Sequence, residues 1–151
     1  MKYFLSIGSN IEATKNIDFA IYELGLILSN IEISSYYKNR AVGFEGDDFI
    51  NLVIAGDSSL GFEELNINLK KIEDSSGRNR SAPKFSARTL DIDIVLQIDD
   101  DEIIFESDEI EKYDFVSNPL KELLWTIFFI DLFEELSFFI SNFKRKSRTS
   151  K

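Results

Sequence analysis

Apolar residues change their spacing several times along this chain, and each change marks a candidate element. Residues 2–7 form a short apolar run that stops at Gly8, Ser9 and Asn10, a turn signal, and they predict a buried strand. Ile17, Ala20, Ile21, Leu24, Ile27 and Leu28 then recur at helical spacing and predict an amphipathic helix over 13–29. Ile31, Ile33 and Ser35 alternate with their neighbours, which predicts a strand over 31–38. A loop with Gly43 and Gly46 leads to a second apolar strand over 49–55. Phe62, Leu65, Leu69 and Ile72 predict a helix opened near Gly61 and stopped by Gly77. A strand over 90–96 follows, then a candidate edge strand over 102–105. Residues 119–143 predict one or two helices, with apolar positions at Leu120, Leu123, Leu124, Ile127, Leu132, Leu136 and Ile140.

Strand, helix, strand, strand, helix, strand is the split β-α-β order of a ferredoxin-like α+β sandwich, here with extra C-terminal helices. No repeat or long linker interrupts it. One domain over 1–143 is therefore expected, followed by a basic, disordered tail at 144–151.

Composition narrows the chemistry. The chain has no cysteine and no histidine, which removes disulfides, thiolate or imidazole zinc sites, and any Ser-His-Asp triad. Carboxylates, cations and backbone must carry whatever it does. The N-terminus lacks the apolar stretch of a signal peptide. The longest apolar run, 123–130 with Thr126 inside it, is too short to span a bilayer. A cytoplasmic protein without a membrane partner is expected.

The formal net charge of −10 argues against nucleic-acid binding, which depends on neutralising phosphates. The cations are nevertheless concentrated. Residues 77–88 carry Arg78, Arg80, Lys84 and Arg88 with no acid among them, and a second basic block forms the tail.

Directly after the basic loop come Asp91 and Asp93 in an otherwise apolar strand. Strand side chains alternate, so both carboxylates point to one face, roughly 7 Å apart. That spacing suits a hard cation such as Mg²⁺, which binds few carboxylates and bridges to substrate phosphates. A solvated edge strand is the plainer reading of the pair alone. The loop changes the balance, because phosphoryl transfer needs metal and guanidinium charge held in line more than it needs covalent chemistry. No GxxxxGK[ST] motif is present, so a P-loop is excluded.

Residues 84–95, KFSARTLDIDIV, resemble the signature of the 6-hydroxymethyl-7,8-dihydropterin pyrophosphokinases of folate synthesis. SIGSN at 6–10, DFIN at 48–51, EDSSGRNR at 73–80 and FVSNPL at 115–120 resemble other landmarks of that family, in the same order. The resemblance runs from about residue 3 to residue 123. It implies Mg²⁺-dependent transfer of pyrophosphate from ATP to the hydroxymethyldihydropterin, giving AMP and the pterin diphosphate. The alternative it leaves open is a pterin-binding relative with weak or no transfer.

By the same resemblance, Asp91 and Asp93 would ligate two Mg²⁺ ions. Arg78 and Arg88 would be catalytic and nucleotide-binding, with Arg80 and Lys84 near the phosphates. Phe49 and Phe115 would sandwich the pterin; Asn51, Gly8 and the Val42–Gly43 backbone would read its edge. Departures gather on the nucleotide side. No histidine precedes the late Phe, an expected Arg is Tyr113, and Phe85 and Ser86 replace Trp and a smaller residue. Lys112 and the tail are candidates for the lost charge. The many phenylalanines of 128–143 would pack as core or cover a homodimer patch, so a monomer or a homodimer is expected.

Overall fold

The computed structural model describes residues 1–41, 43–83 and 87–128. Within them, β1 (Lys2–Ser9), α1 (Ala13–Gly25), β2 (Ser29–Ile33), β3 (Tyr37–Asn39), β4 (Phe49–Asp57), α2 (Phe62–Ser75), β5 (Asp91–Asp99), β6 (Glu102–Glu106), α3 (Glu109–Lys112) and α4 (Asp114–Phe128) follow in order. The strands make one sheet in the order β2-β4-β1-β5-β6, with β3 continuing along β4 beyond β2. Every pairing is antiparallel. Counting β2 and β3 as one interrupted strand, β5-β1-β4-β2 is the ferredoxin-like order.

Alternation along the central strands divides the core in two. Tyr3, Leu5 and Ile7 of β1, Leu52 and Ile54 of β4, and Ile92 and Ile94 of β5 pack against Ile17, Ala20 and Leu24 of α1 and Leu65 and Leu69 of α2. Phe4, Val53, Ala55 and Val95 turn to the other face, where Val116, Leu120, Leu123 and Leu124 of α4 cover them. Each fully buried side chain of this size contributes roughly 1.5–3 kcal/mol. The helices are held to the sheet by this burial, since α1 and α2 carry no side-chain N-cap bond.

Some elements differ from the sequence expectation. The strand expected over 31–38 is broken. Ser34, buried between β2 and β3, accepts from the Val53 N–H through Oγ at 2.9 Å and donates its own N–H to the Val53 carbonyl at 3.0 Å. A polar side chain there replaces part of the strand ladder, so alternation persists while the strand does not. Helix α1 ends at Gly25, four residues before the expected limit of 29, since Leu26, Ile27 and Leu28 close onto it with terminal backbone bonds. Helix α4 begins at Asp114 and contains Pro119, which had marked its start. A proline there removes one helical N–H donation, to the Phe115 carbonyl. Helix α3 was not expected at all. Val42, Lys84 to Ser86 and residues 129–151, with the late phenylalanines and the basic tail, lie outside the described residues.

Candidate active site

Three adjacent strands build a floor. Gly8 of β1 lies opposite Asn51 of β4 on one side and Asp91 of β5 on the other. Ser6 lies opposite Asp93. Gly8 keeps the middle of this row low: a Cβ there would come 2.6 Å from Asn51 Oδ1. The buried Asn51 donates through Nδ2 to Asn39 Oδ1 on β3. Above the floor stand two aromatic pairs. Phe44 meets Phe49 edge-on at 6.3 Å, and Tyr113 stacks on Phe115 at 4.8 Å with 19° between the rings. All these residues face one cleft, which Arg40, Arg88 and Glu109 also line.

The loop that leads into β5 is clamped by the turn after β1. Asn10 and Arg88 exchange bonds: the Arg88 N–H donates to Asn10 Oδ1 at 2.8 Å, and the Asn10 N–H to the Arg88 carbonyl at 3.1 Å. Ser9 Oγ donates to the Thr89 carbonyl at 2.5 Å. These bonds fix where Arg88 leaves the chain and where Asp91 begins the strand. Gly77, with φ of 88°, makes the turn that releases Arg78 from α2 toward the same point.

Asp91 is held by two guanidinium groups. Arg78 Nη1 donates to Oδ1 at 2.7 Å and Arg88 Nη1 to Oδ2 at 2.9 Å. Arg78 also donates to Glu73 Oε1 at 3.0 Å and to the Leu90 carbonyl at 3.2 Å. Glu73 is fully buried and binds Lys70 as well, at 3.0 and 3.1 Å. Lys70 reaches on to Asp93 Oδ1 at 3.3 Å. These cations approach along the first half of β5, where β1 pairs on one side and β6 joins the other only from Leu96 onward.

The electrostatics follow from this crowding. Burial, and then the charge of Asp91, push the Asp93 carboxyl above the usual carboxylate range, against the pull of Lys70. Burial likewise raises Glu109, with Asp93 and Asp91 adding to it. Burial works against the Lys70 ammonium, but Asp93 and Glu73 outweigh it and hold its pKa above the ordinary lysine value. The cleft is thus short of positive charge around Asp93 and Glu109, which is what a divalent cation would supply.

The donor set fits magnesium. Among the described residues no group of three or more His, Cys, Asp or Glu side chains converges into a closed metal cage. Mg²⁺ usually takes one or two carboxylates and completes its shell with water and substrate phosphate, so Asp91 and Asp93 in an open cleft are an appropriate pair.

Of the residues singled out in sequence, Gly8, Phe49, Asn51, Arg88, Asp91, Asp93 and Phe115 line the cleft, and Arg78 holds Asp91 from behind. Arg80 donates to Asp74 at 2.7 Å and to the Lys70 carbonyl at 3.0 Å, away from the cleft. Gly43, with φ of 81°, stands in the loop before β4 and is not among the lining residues. Lys112 pairs with Asp108 at 2.9 Å on the surface. Val42, Lys84 and the tail lie outside the described residues. Sequence reading passed over Lys70, Glu73, Asn39, Glu109 and the partnership of Tyr113 with Phe115. Glu73 had left a signal: it lies four residues after Leu69 on the apolar face of α2, where a carboxylate requires cations.

By fold and by the makeup of its cleft, the chain is a ferredoxin-like α+β protein with a site suited to anionic and flat ligands. The model of the 7,8-dihydro-6-hydroxymethylpterin-pyrophosphokinase family matches residues 4–125, and the chain belongs to that family. It is 35% identical over 128 residues to the 2-amino-4-hydroxy-6-hydroxymethyldihydropteridine pyrophosphokinase of Aquifex aeolicus, covering 80% of this chain and 78% of that one. The Synechocystis protein of the same name is 33% identical over 127 residues, 79% of this chain and 64% of its own length. The folate synthesis bifunctional protein of Arabidopsis thaliana is 37% identical over 82 residues, 52% of this chain and 17% of that protein. Among the described residues no helix is long and apolar enough to cross a membrane.

Proposed function

We propose that this cleft is the active site in which the chain transfers the pyrophosphoryl group of ATP to 6-hydroxymethyl-7,8-dihydropterin, a step of folate biosynthesis. The carrying observation is the row Asn51, Gly8, Asp91 across adjacent strands. It sets an amide for a heteroaromatic edge and a carboxylate for a cation on one floor, two strand spacings or about 10 Å apart.

In this reading the hydroxymethyl oxygen attacks the β-phosphorus of ATP, the bond from that phosphorus to the α,β-bridging oxygen breaks, and AMP leaves. The hydroxyl proton passes to water in the open cleft. Phe49 and Phe115 hold the pterin ring by stacking, and Asn51 fixes its edge. Asp91 and Asp93 hold two magnesium ions, which neutralise phosphate charge when bound. Arg78 and Arg88 stand at Asp91 to take up the remaining negative charge. Lining the cleft with fixed donors in this way orients the reactants, which is most of what phosphoryl transfer asks of a protein.

The alternative of pterin binding without transfer draws no support from these residues, since both aspartates and Arg88 of the signature are present, as is Arg78 in the segment before it. Purified protein incubated with ATP, Mg²⁺ and the hydroxymethyldihydropterin should release AMP and the pterin diphosphate in equal amounts. No AMP at high enzyme concentration would contradict the proposal.

A further inference from the structure

Helix α2 brings one more cation to the carboxylate pair. Lys70 Nζ has four acceptors: the Glu73 oxygens at 3.0 and 3.1 Å, the Ile92 carbonyl at 3.1 Å, and Asp93 Oδ1 at 3.3 Å. An ammonium has three donors, so these contacts cannot all be full bonds. The contact at Asp93 is the longest, and giving it up leaves one acceptor for each donor. Glu73, fully buried, and the Ile92 carbonyl, part of the strand backbone, are fixed partners. Asp93, with its side chain 40% exposed, is the exchangeable one.

Charge points the same way. Lys70, Arg78 and Arg88 balance Glu73, Asp91 and Asp93, so the cluster is neutral before any metal enters. Asp91 has both oxygens bound by arginines. Among the described residues Lys70 is the cation paired with Asp93. A divalent ion arriving at Asp93 meets an ammonium already at that carboxylate.

We propose that Lys70 is the internal counter-ion of the metal site, keeping its place at Asp93 until a divalent cation binds and then withdrawing onto Glu73 and the Ile92 carbonyl. This rests on the reading of Asp91 and Asp93 as metal ligands. Lys70 is then a positioning residue. It keeps the two aspartates compatible in the empty cleft, and it weakens the hold on a bare ion, so that firm metal binding waits for the phosphates of ATP.

Manganese binding without nucleotide, followed by the EPR signal of free Mn²⁺, tests this on the whole chain. Lys70→Met and Lys70→Gln both remove the charge, and the glutamine keeps a donor for the Ile92 carbonyl should the methionine variant fail to fold. Both should bind Mn²⁺ roughly three- to tenfold more tightly than the unaltered protein. Lys70→Arg should stay near it. Asp93→Asn should bind more weakly, and adding Lys70→Met to it should restore nothing. If Asp93→Asn weakens binding but the charge-free Lys70 variants bind no more tightly, the counter-ion role is overturned while the metal site stands. If Asp93→Asn leaves Mn²⁺ binding unchanged, or no variant binds the ion at millimolar concentration, the metal assignment fails and this inference with it.

Discussion

Gly8 illustrates how much a missing side chain can decide. It is buried near the end of β1, where a larger residue would normally pack, and its empty place is the floor on which Asn51 and Asp91 face the cleft. A methyl group at that position would meet the Asn51 oxygen at 2.6 Å and push the amide off its place beside Asn39. Gly8→Ala should therefore raise the pterin KM about tenfold, the worth of one good hydrogen bond, with ATP affinity little altered. Steady-state kinetics with each substrate varied in turn would show it; a rise in the ATP KM alone would place Gly8 elsewhere in the site. At this scale the sequence was informative where chemistry is local. A carboxylate pair on one strand and a polar Asn51 within an apolar run can be read from spacing alone. Lys70 and Asp93 cannot be paired that way, because 23 positions and a helix-to-strand turn separate them. The polar floor of a cleft is a property of three strands together, and no one segment announces it.

Elements were legible where burial imposes a period. The apolar positions of α2 from Leu65 to Ile72, between Gly61 and Gly77, gave both ends of that helix closely, since a glycine with positive φ makes a sharp stop. The β2–β3 edge was read as one strand because Ser34 interrupts pairing without interrupting alternation. The same edge is tied across the molecule to α4. Glu122 accepts from the Ser35 N–H and Oγ and from the Tyr37 hydroxyl, each at 2.8 Å. Burial works against this carboxylate, but the bonds from Ser35 and Tyr37 outweigh it and keep the Glu122 carboxyl below the usual glutamate range. A depressed carboxyl stabilises the fold above its unfolded pKa and loses that contribution as pH falls through the folded value. Glu122→Gln should thus cost about 1–2 kcal/mol at pH 7, and the deficit should shrink as pH drops below about 4.3. Urea unfolding at several pH values would measure this. An equal deficit at pH 7 and pH 3 would mean that the charge of Glu122 contributes nothing.

Across the whole molecule, charge and hydrophobic pattern divide the work. The two apolar cores lie on opposite faces of the sheet, and the site sits at one end, on the face that α3 and α4 share. A chain of net charge −10 gathers Lys70, Arg78 and Arg88 around three acidic side chains at that end, where the proposed reading puts the anionic substrate. The ferredoxin-like order followed from counting elements, because short antiparallel connections leave few alternatives. The depth of the ionic cluster did not, because Glu73 on the apolar face of α2 calls for cations without showing which ones until α2 packs on β5. In the proposed reading, function depends on two aspartates whose charge, with that of Glu73, the three organised cations only balance. Their role is the central claim, and AMP formation by Asp91→Ala and Asp93→Ala, set beside calorimetric pterin affinity in the same proteins, tests it most directly. The expected result is turnover reduced by at least about a thousandfold in each variant, or some 4 kcal/mol of transition-state stabilisation, with pterin affinity within a few-fold of the unaltered chain. Near-normal turnover in either variant would contradict it.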